Sequence, residues 1–177
     1  MTDLMIILGS PASGKTTLAR RLARETGLPV LGKDDVKEAL FDVLGVADRR
    51  VSARLSEVSF AAVLRLAERQ LSVGVSCFIE GNFRAAHAAA VRGLLAATDA
   101  RAAQIWCHAN PCEIERRFTS RVRHAGHLDH ATPADEVRRK SELPPSYLDI
   151  AGPRWAYDSQ DAAAADGLLR TLQSWRV

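Results

Sequence analysis

The stretch Gly9-Ser10-Pro11-Ala12-Ser13-Gly14-Lys15-Thr16-Thr17 satisfies G-x-x-x-x-G-K-[ST] at every position, and no other part of the chain restricts its fold so tightly. The apolar run Leu4-Met5-Ile6-Ile7-Leu8 precedes it and predicts a buried parallel strand, while Leu18 to Ala23 follows and predicts a helix. Glycines at both ends of the loop let successive backbone N–H groups turn inward, and the helix N-terminus adds partial positive charge. A polyphosphate is the guest such a turn accommodates. In that role the backbone of Gly9, Ser10, Ala12, Ser13 and Gly14 cradles the phosphates. Lys15 reaches the β- and γ-phosphates, and the Thr16 hydroxyl ligates the Mg²⁺ that bridges them. Thr17 supports the α-phosphate or caps the helix. A plain Gly/Ser turn before an amphipathic helix is the structural alternative, and the strand on one side with a helix on the other argues against it. The expected ligand is ATP or GTP with Mg²⁺.

The chain has 177 residues, enough for a five-stranded sheet covered by helices and too few for two such units, so the expectation is one domain over 1–177. Hydrophobic residues make up 47% and charged residues 25%, and no apolar run approaches the roughly 20 residues of a membrane span. The start MTDLMIIL lacks a basic region and runs straight into the first strand, which predicts a cytoplasmic protein. Cys77 and Cys107 fall in predicted buried strands and Cys112 is left over, the pattern of reduced core thiols rather than disulfides. A net charge of +3 suits an anionic substrate. With no lysine-rich tail or interleaved aromatic patch, it does not favour nucleic acid as the partner.

Further along, Val30-Leu31-Gly32 predicts a second strand and Val36 to Leu44 a helix, with Asp34 or Asp35 as its cap. A long helix is expected from about Val51 to Leu71, with Leu55, Val58, Ala62 and Leu66 inward and arginines outward. Val75 to Ile79 predicts the third strand, Ala85 to Ala97 a helix, and Ala102 to His108 the fourth strand. Asn110-Pro111 starts a helix expected to run through Arg123. A Gly/His-rich insert and a restart at Thr132-Pro133 complete the layout of a lid over about 123–140, with Thr132 as cap and Pro133 at the first helical position. Arg154 to Asp158 predicts a fifth strand, and Leu168, Leu172 and Trp175 mark a final amphipathic helix. Strands alternating with helices give an α/β fold, a parallel sheet with helices on both faces, whose ligand crevice lies at the strand C-terminal ends.

Phosphoryl transfer needs groups that position phosphate, a metal, a group that orients or deprotonates the acceptor, and positive charge for the transition state. Asp34 is the favoured acceptor-side base, with Asp35 as its rival; one is expected to catalyse and the other to cap. Lys37, one turn further, either holds an anionic part of the acceptor or is a solvated helix lysine. Glu80 ends the third strand, where it holds a Mg²⁺-bound water or the Thr16 hydroxyl, or pairs with an arginine. Asn82 and Arg84 line the acceptor side. Arg117 and Arg121, spaced i and i+4, share one helix face and close over the nucleotide. His124, His127 and His130 with Asp129 invite a zinc site, but equal spacing and the lack of a cysteine argue against it and for lid hydrogen bonds to substrate or plain loop capping, the latter favoured.

GSPASGKTTLARRL, VLGKDDVKEAL, FIEGNF and an Arg-x-x-x-Arg helix, followed by a lid, occur in an order that resembles the P-loop kinases of the polynucleotide-kinase, chloramphenicol-phosphotransferase and zeta-toxin group. The resemblance implies a three-layer P-loop NTPase fold, strand order 2-3-1-4-5 and a small helical lid. It also implies Asp34 as the base, Lys37 near substrate phosphate, Arg117 and Arg121 as lid arginines, and Ser159 in a segment beside the adenine. Lys33 stands where polynucleotide kinases carry an arginine. The implied reaction is ATP- and Mg²⁺-dependent phosphorylation of a hydroxyl on a small polar molecule by a monomer or homodimer. A 5′-hydroxyl polynucleotide kinase and an ATP-hydrolysing switch module remain as alternatives.

Overall fold

Consecutive apolar residues point to opposite faces of a strand, so the run Leu4 to Leu8 demands cover on both sides. In the computed structural model, which describes residues 1–45, 48–122, 124, 127 and 132–176, β1 (Asp3–Gly9) has that cover at the sheet centre. Leu4, Ile6 and Leu8 pack beneath α3 (Arg49–Ser72) and α4 (Ala88–Thr98). Met5 and Ile7 pack beneath α1 (Lys15–Thr26) and α7 (Ala164–Arg176). The other strands are β2 (Val30–Gly32), β3 (Cys77–Glu80), β4 (Arg101–His108) and β5 (Arg154–Asp158). All pairings are parallel and the order is β2-β3-β1-β4-β5, as expected. Among the described residues, no helix is long and apolar enough to cross a membrane.

α2 (Lys33–Leu44) follows β2 without a loop. Gly32 is its N-cap, and neither Asp34 nor Asp35 caps it; both lie in the first turn, where the helix dipole favours carboxylates. The inward face of α2 is Lys33, Lys37 and Phe41, spaced i, i+4, i+8, whereas the helical period of Val36, Leu40, Val43 and Leu44 predicts an apolar inward face and Val43 and Leu44 are exposed. α3 departs similarly: Leu55 is buried, but Val58 and Leu66 are exposed and Phe60, Val63 and Ala67 take the inward stripe. The Phe60 ring, 4.0 Å from the His87 ring and 5.0 Å from that of Phe83, sets this rotation. The alanine-rich segment opens with a 3-10 turn, Ala85–His87, before α4.

α5 (Pro111–Ser120) ends three residues before the expected Arg123, and α6 (Ala134–Ser141) takes Pro133 as its N-cap rather than Thr132. Ile114 and Phe118 of α5 pack against Val137 of α6 in a cluster apart from the two faces of the sheet. Part of the lid segment, including Asp129 and His130, lies outside the described residues.

The stretch before β5 is clamped to β4. Buried Gln104 donates to the Leu148 carbonyl at 3.1 Å and accepts from the Leu148 amide at 2.7 Å. Gly152 passes so close that a β-carbon there would lie 1.9 Å from the Ala102 carbonyl oxygen, at φ +119°. Gly152→Ala is therefore expected to cost about 2–4 kcal/mol, read as a lower urea midpoint at unchanged slope. An unchanged midpoint would contradict the close approach.

Candidate active site

The loop between β1 and α1 owes its shape to three left-handed residues. Gly9 (φ +146°) passes under β4, where a β-carbon would lie 2.3 Å from the Cys107 carbonyl oxygen. Ala12 (φ +64°) and Gly14 (φ +95°) alternate the backbone hand, which turns successive amides into one anion-binding concavity. A β-carbon on Gly14 would meet the Ser159 β-carbon at 2.8 Å, so this position also requires glycine. The Ser13 hydroxyl is fully buried with no hydrogen-bond partner among the described residues.

Lys15 Nζ donates to the Ser10 carbonyl at 2.8 Å, folding the ammonium over its own loop. Burial pushes this ammonium below its ordinary pKa, and the Glu80 carboxylate draws it back up. The Thr16 hydroxyl donates to Glu80 Oε2 at 3.3 Å. Glu80 is only 5% exposed, and burial raises its carboxyl above the usual range against the pull of Lys15. β3 lies beside β1, which brings the strand-end Glu80 to the first turn of α1.

These groups open onto a cavity of about 670 Å³ at the C-terminal ends of the strands. The loop contributes Ala12, Gly14, Lys15, Thr16 and Thr17, while Gly9, Ser10 and Ser13 lie behind that lining. α2 contributes Asp34, Asp35 and Lys37, and Glu80 and Asn82 come from the end of β3. Asp34 is paired at 3.0 Å with Lys33, a buried lysine whose Nζ also lies 5.6 Å from the centre of the Phe60 ring. Partial burial and the Glu38 carboxylate raise Asp35 above its usual pKa, and Arg20 opposes them. Lys37 is not a solvated lysine: it is 5% exposed, donates to the Ser52 hydroxyl at 2.9 Å and lies over the Phe41 ring.

Arg117, Arg121 and Ser159 line the same cavity, and Arg117 and Ser159 abut the loop: a β-carbon on Gly14 would lie 2.8 Å from the Ser159 β-carbon and 3.9 Å from an Arg117 guanidinium nitrogen. Arg117 is held by Glu113 at 2.7 Å and by the Ser159 hydroxyl at 2.8 Å, and its fork with Arg116 draws the Glu113 carboxyl down to about 2. Arg121 is the C-cap of α5: its amide donates to the Arg117 carbonyl at 3.2 Å, one turn back, and the chain leaves the helix after it (ψ 138°). Its guanidinium stacks 4.7 Å from the Phe118 ring centre, and both arginines reach one cavity.

Arg84 does not line this cavity; it lies 3.5 Å from Glu57 at the edge of a neighbouring one. His124 contacts Asp42 at 2.9 Å and His127 contacts Glu38 at 2.7 Å, which fastens the lid segment to α2. No group of three or more His, Cys, Asp or Glu residues able to hold a metal occurs among the described residues. A hydroxyl beside a carboxylate, Thr16 with Glu80, instead fits a hard cation that takes most of its oxygens from phosphate and water. His127, one of the histidines noted in the lid segment, lines the cavity, as do Arg20, Ser56 and Tyr157, which the residue pattern does not single out. For Ser56 a signal was present: Ser52, Ser56 and Ser59 recur at i, i+4, i+7 on α3, a polar stripe along a helix read only for its apolar one.

Glu80→Gln removes a carboxyl whose folded pKa is raised. Below the unfolded value near 4.5 both proteins carry a neutral side chain there; as pH rises through the raised folded value, only the wild type must bury a charge. The melting temperature of the variant relative to wild type, without ligand, should therefore rise with pH across that window. A constant difference from pH 4 to 8 would contradict the burial cost.

A family model described as "AAA domain" matches residues 4–142. A crystal structure of a provisionally named kinase from Chloroflexus aurantiacus is 31% identical, with a TM-score of 0.90 over 98% of this chain and 97% of that one. A sugar kinase from Janibacter has a TM-score of 0.60 at 16% identity, over 99% and 94% of the two chains, a likeness of fold alone. An uncharacterised protein of Mycobacterium tuberculosis is 28% identical over 160 residues, covering 85% of this chain and 32% of the relative. The chain thus spans about a third of the length of the curated relatives it matches. With a family match across most of its length and a relative similar end to end, the chain belongs to the AAA domain family and is a P-loop kinase-like protein.

Proposed function

We propose that the protein transfers the γ-phosphoryl group of ATP, bound with Mg²⁺, to a hydroxyl of a small polar molecule. The observation that carries this reading is the cavity itself, which brings together the phosphate-binding loop, Asp34, Arg117 and Arg121. The kinase name of the Chloroflexus relative supports the same reaction class. Left-handed Ala12 and Gly14 fit a polyphosphate, and Thr16 with Glu80 fits the metal.

Lys15 and the loop amides hold the β- and γ-phosphates and set the direction of the terminal phosphorus. A magnesium ion at Thr16 would neutralise charge on the β- and γ-oxygens. Asp34, steadied by Lys33, accepts the proton of the acceptor hydroxyl. The hydroxyl oxygen bonds to the γ-phosphorus as the bond to the β,γ-bridging oxygen breaks, and ADP leaves with that oxygen. Arg117 and Arg121 stabilise the charge that spreads over the phosphoryl oxygens. Arg117 reaches this role already fixed by Glu113 and Ser159, so little side-chain freedom is lost on binding.

Asp34→Asn keeps the shape of the side chain and removes the base. Acceptor-dependent ADP release, measured over a panel of sugars, polyols and hydroxy acids, should fall about 10²-fold or more. Nucleotide affinity by calorimetry should stay within about threefold. Asp35→Asn should retain most of the rate. Equal turnover in Asp34→Asn and wild type would remove Asp34 from the role, and failure to bind Mg·ATP at all would remove the whole reading.

A further inference from the structure

Beyond Lys37, on the side away from the phosphate loop, a second cavity of about 670 Å³ adjoins the first. The two share Lys37, Ser56 and His127 in their walls, so the passage between them runs along α2. The second cavity is walled by α3, by Arg84 after β3, and by Glu136 and Lys140 of α6. Among the described residues its lining is rich in cations: Lys37, Arg49, Arg54, Arg84 and Lys140 against the carboxylates of Glu57 and Glu136. Glu57 is engaged by Arg84, and Glu136 by Lys140 with Arg49 nearby. Arg54, exposed on α3, forms no ion pair among the described residues.

We infer that the phosphoryl acceptor is itself an anion: a small hydroxyl compound whose carboxylate or phosphate monoester enters this second cavity and is held by Arg54 and Arg84, with Lys37 at its mouth. This rests on the kinase reading above and adds the class of acceptor to it. The geometry of α2 gives the scale. Asp34 and Lys37 are one turn apart on the same helix, which places their β-carbons about 5–6 Å from each other. A hydroxyl at Asp34 and an acidic group a few bonds away therefore span the passage. Guanidinium groups bind either oxyanion through paired N–H donors, which suits Arg54 and Arg84 to this role. A nucleic-acid strand is the poorer fit. Among the described residues the second cavity presents no Phe, Tyr or Trp on which bases could stack, and its cations are gathered into one chamber rather than spread along a groove.

The test uses the full chain saturated with the non-hydrolysable analogue Mg·AMP-PNP, which occupies the phosphate loop. Matched sets are then titrated calorimetrically: glycerol, glycerate and glycerol 3-phosphate; glucose, gluconate and glucose 6-phosphate. In at least one set an acidic member should bind about tenfold tighter than the neutral one, the scale of a charge-assisted pair. Whether carboxylate or phosphate is preferred tells the two sources of the anion apart. Arg54→Gln, at an exposed position where folding is not at stake, should lower that preference about fivefold or more, and adding Arg84→Gln should lower it further. The Kd of Mg·AMP-PNP should not change.

Equal affinity for acidic and neutral members would overturn the inference, as would an unaltered preference in the double variant or no binding of any acid at millimolar concentration. Acids that bind only when AMP-PNP is absent would overturn it too, since they would be competing for the phosphate loop. So would faster phosphate transfer from ATP to a 5′-hydroxyl oligonucleotide than to every small acid. The oligonucleotide result would also replace the small-molecule acceptor of the kinase reading, while the others leave that reading standing; phosphoryl transfer itself falls only if Mg·AMP-PNP does not bind or no acceptor yields a phosphorylated product.

Discussion

Gly9 ends β1 directly beneath the Cys107 carbonyl, and the position of the phosphate loop follows from that contact. A side chain at this point would force β1 and β4 apart or swing the loop away from the strand ends. β1 cannot shift to compensate, because it is hydrogen-bonded to β3 and β4 and covered on both faces. The Cys107 thiol below is held neutral by the same burial, its pKa pushed up to about 12. The loop is thus built on the most constrained part of the sheet, and its left-handed turns are supported by packing that binding does not have to create.

Around that fixed loop the site gathers charges that burial disfavours. Lys15 and Glu80 are each shifted toward the neutral form, and each is the other's main electrostatic relief. Lys33 and Lys37 are buried beside aromatic rings, with an aspartate and a serine as hydrogen-bond partners. Arrangements of this kind contribute little to folding and are expected where a highly charged ligand must be gripped.

Much of the fold could be read from the chain because β1 and β3 are uninterrupted apolar runs and the crossovers carry a helical period, although Gln104 breaks the run of β4 and β5 carries Arg154 and Asp158. The strand order came from the family resemblance. Where the reading slipped, polar residues had taken inward positions. α2 turns Lys33 and Lys37 inward while Val43 and Leu44 face solvent, and a rule that buries the apolar residues assigns the wrong face. α3 was rotated in the same way, since the ring cluster of Phe60, Phe83 and His87 joins segments distant in sequence. The meeting of Lys15, Thr16 and Glu80 at one cavity was legible, because the glycine loop and the end of a strand are both marked in the chain. That Arg54 lines the second cavity was not, because an arginine on a long helix looks the same whether it faces solvent or a cavity.

α2 joins functions that are usually divided between separate elements. Its first turn carries Asp34 toward the phosphate loop, and its later turns carry Glu38 and Asp42 to His127 and His124. A helix moves as a stiff rod, and those carboxylates are the points to which the lid segment is tied. On the kinase reading proposed above, a tilt that loosens those two ties would also move Asp34 relative to the phosphate loop, so that shutting the chamber and aiming the reaction would become a single mechanical event.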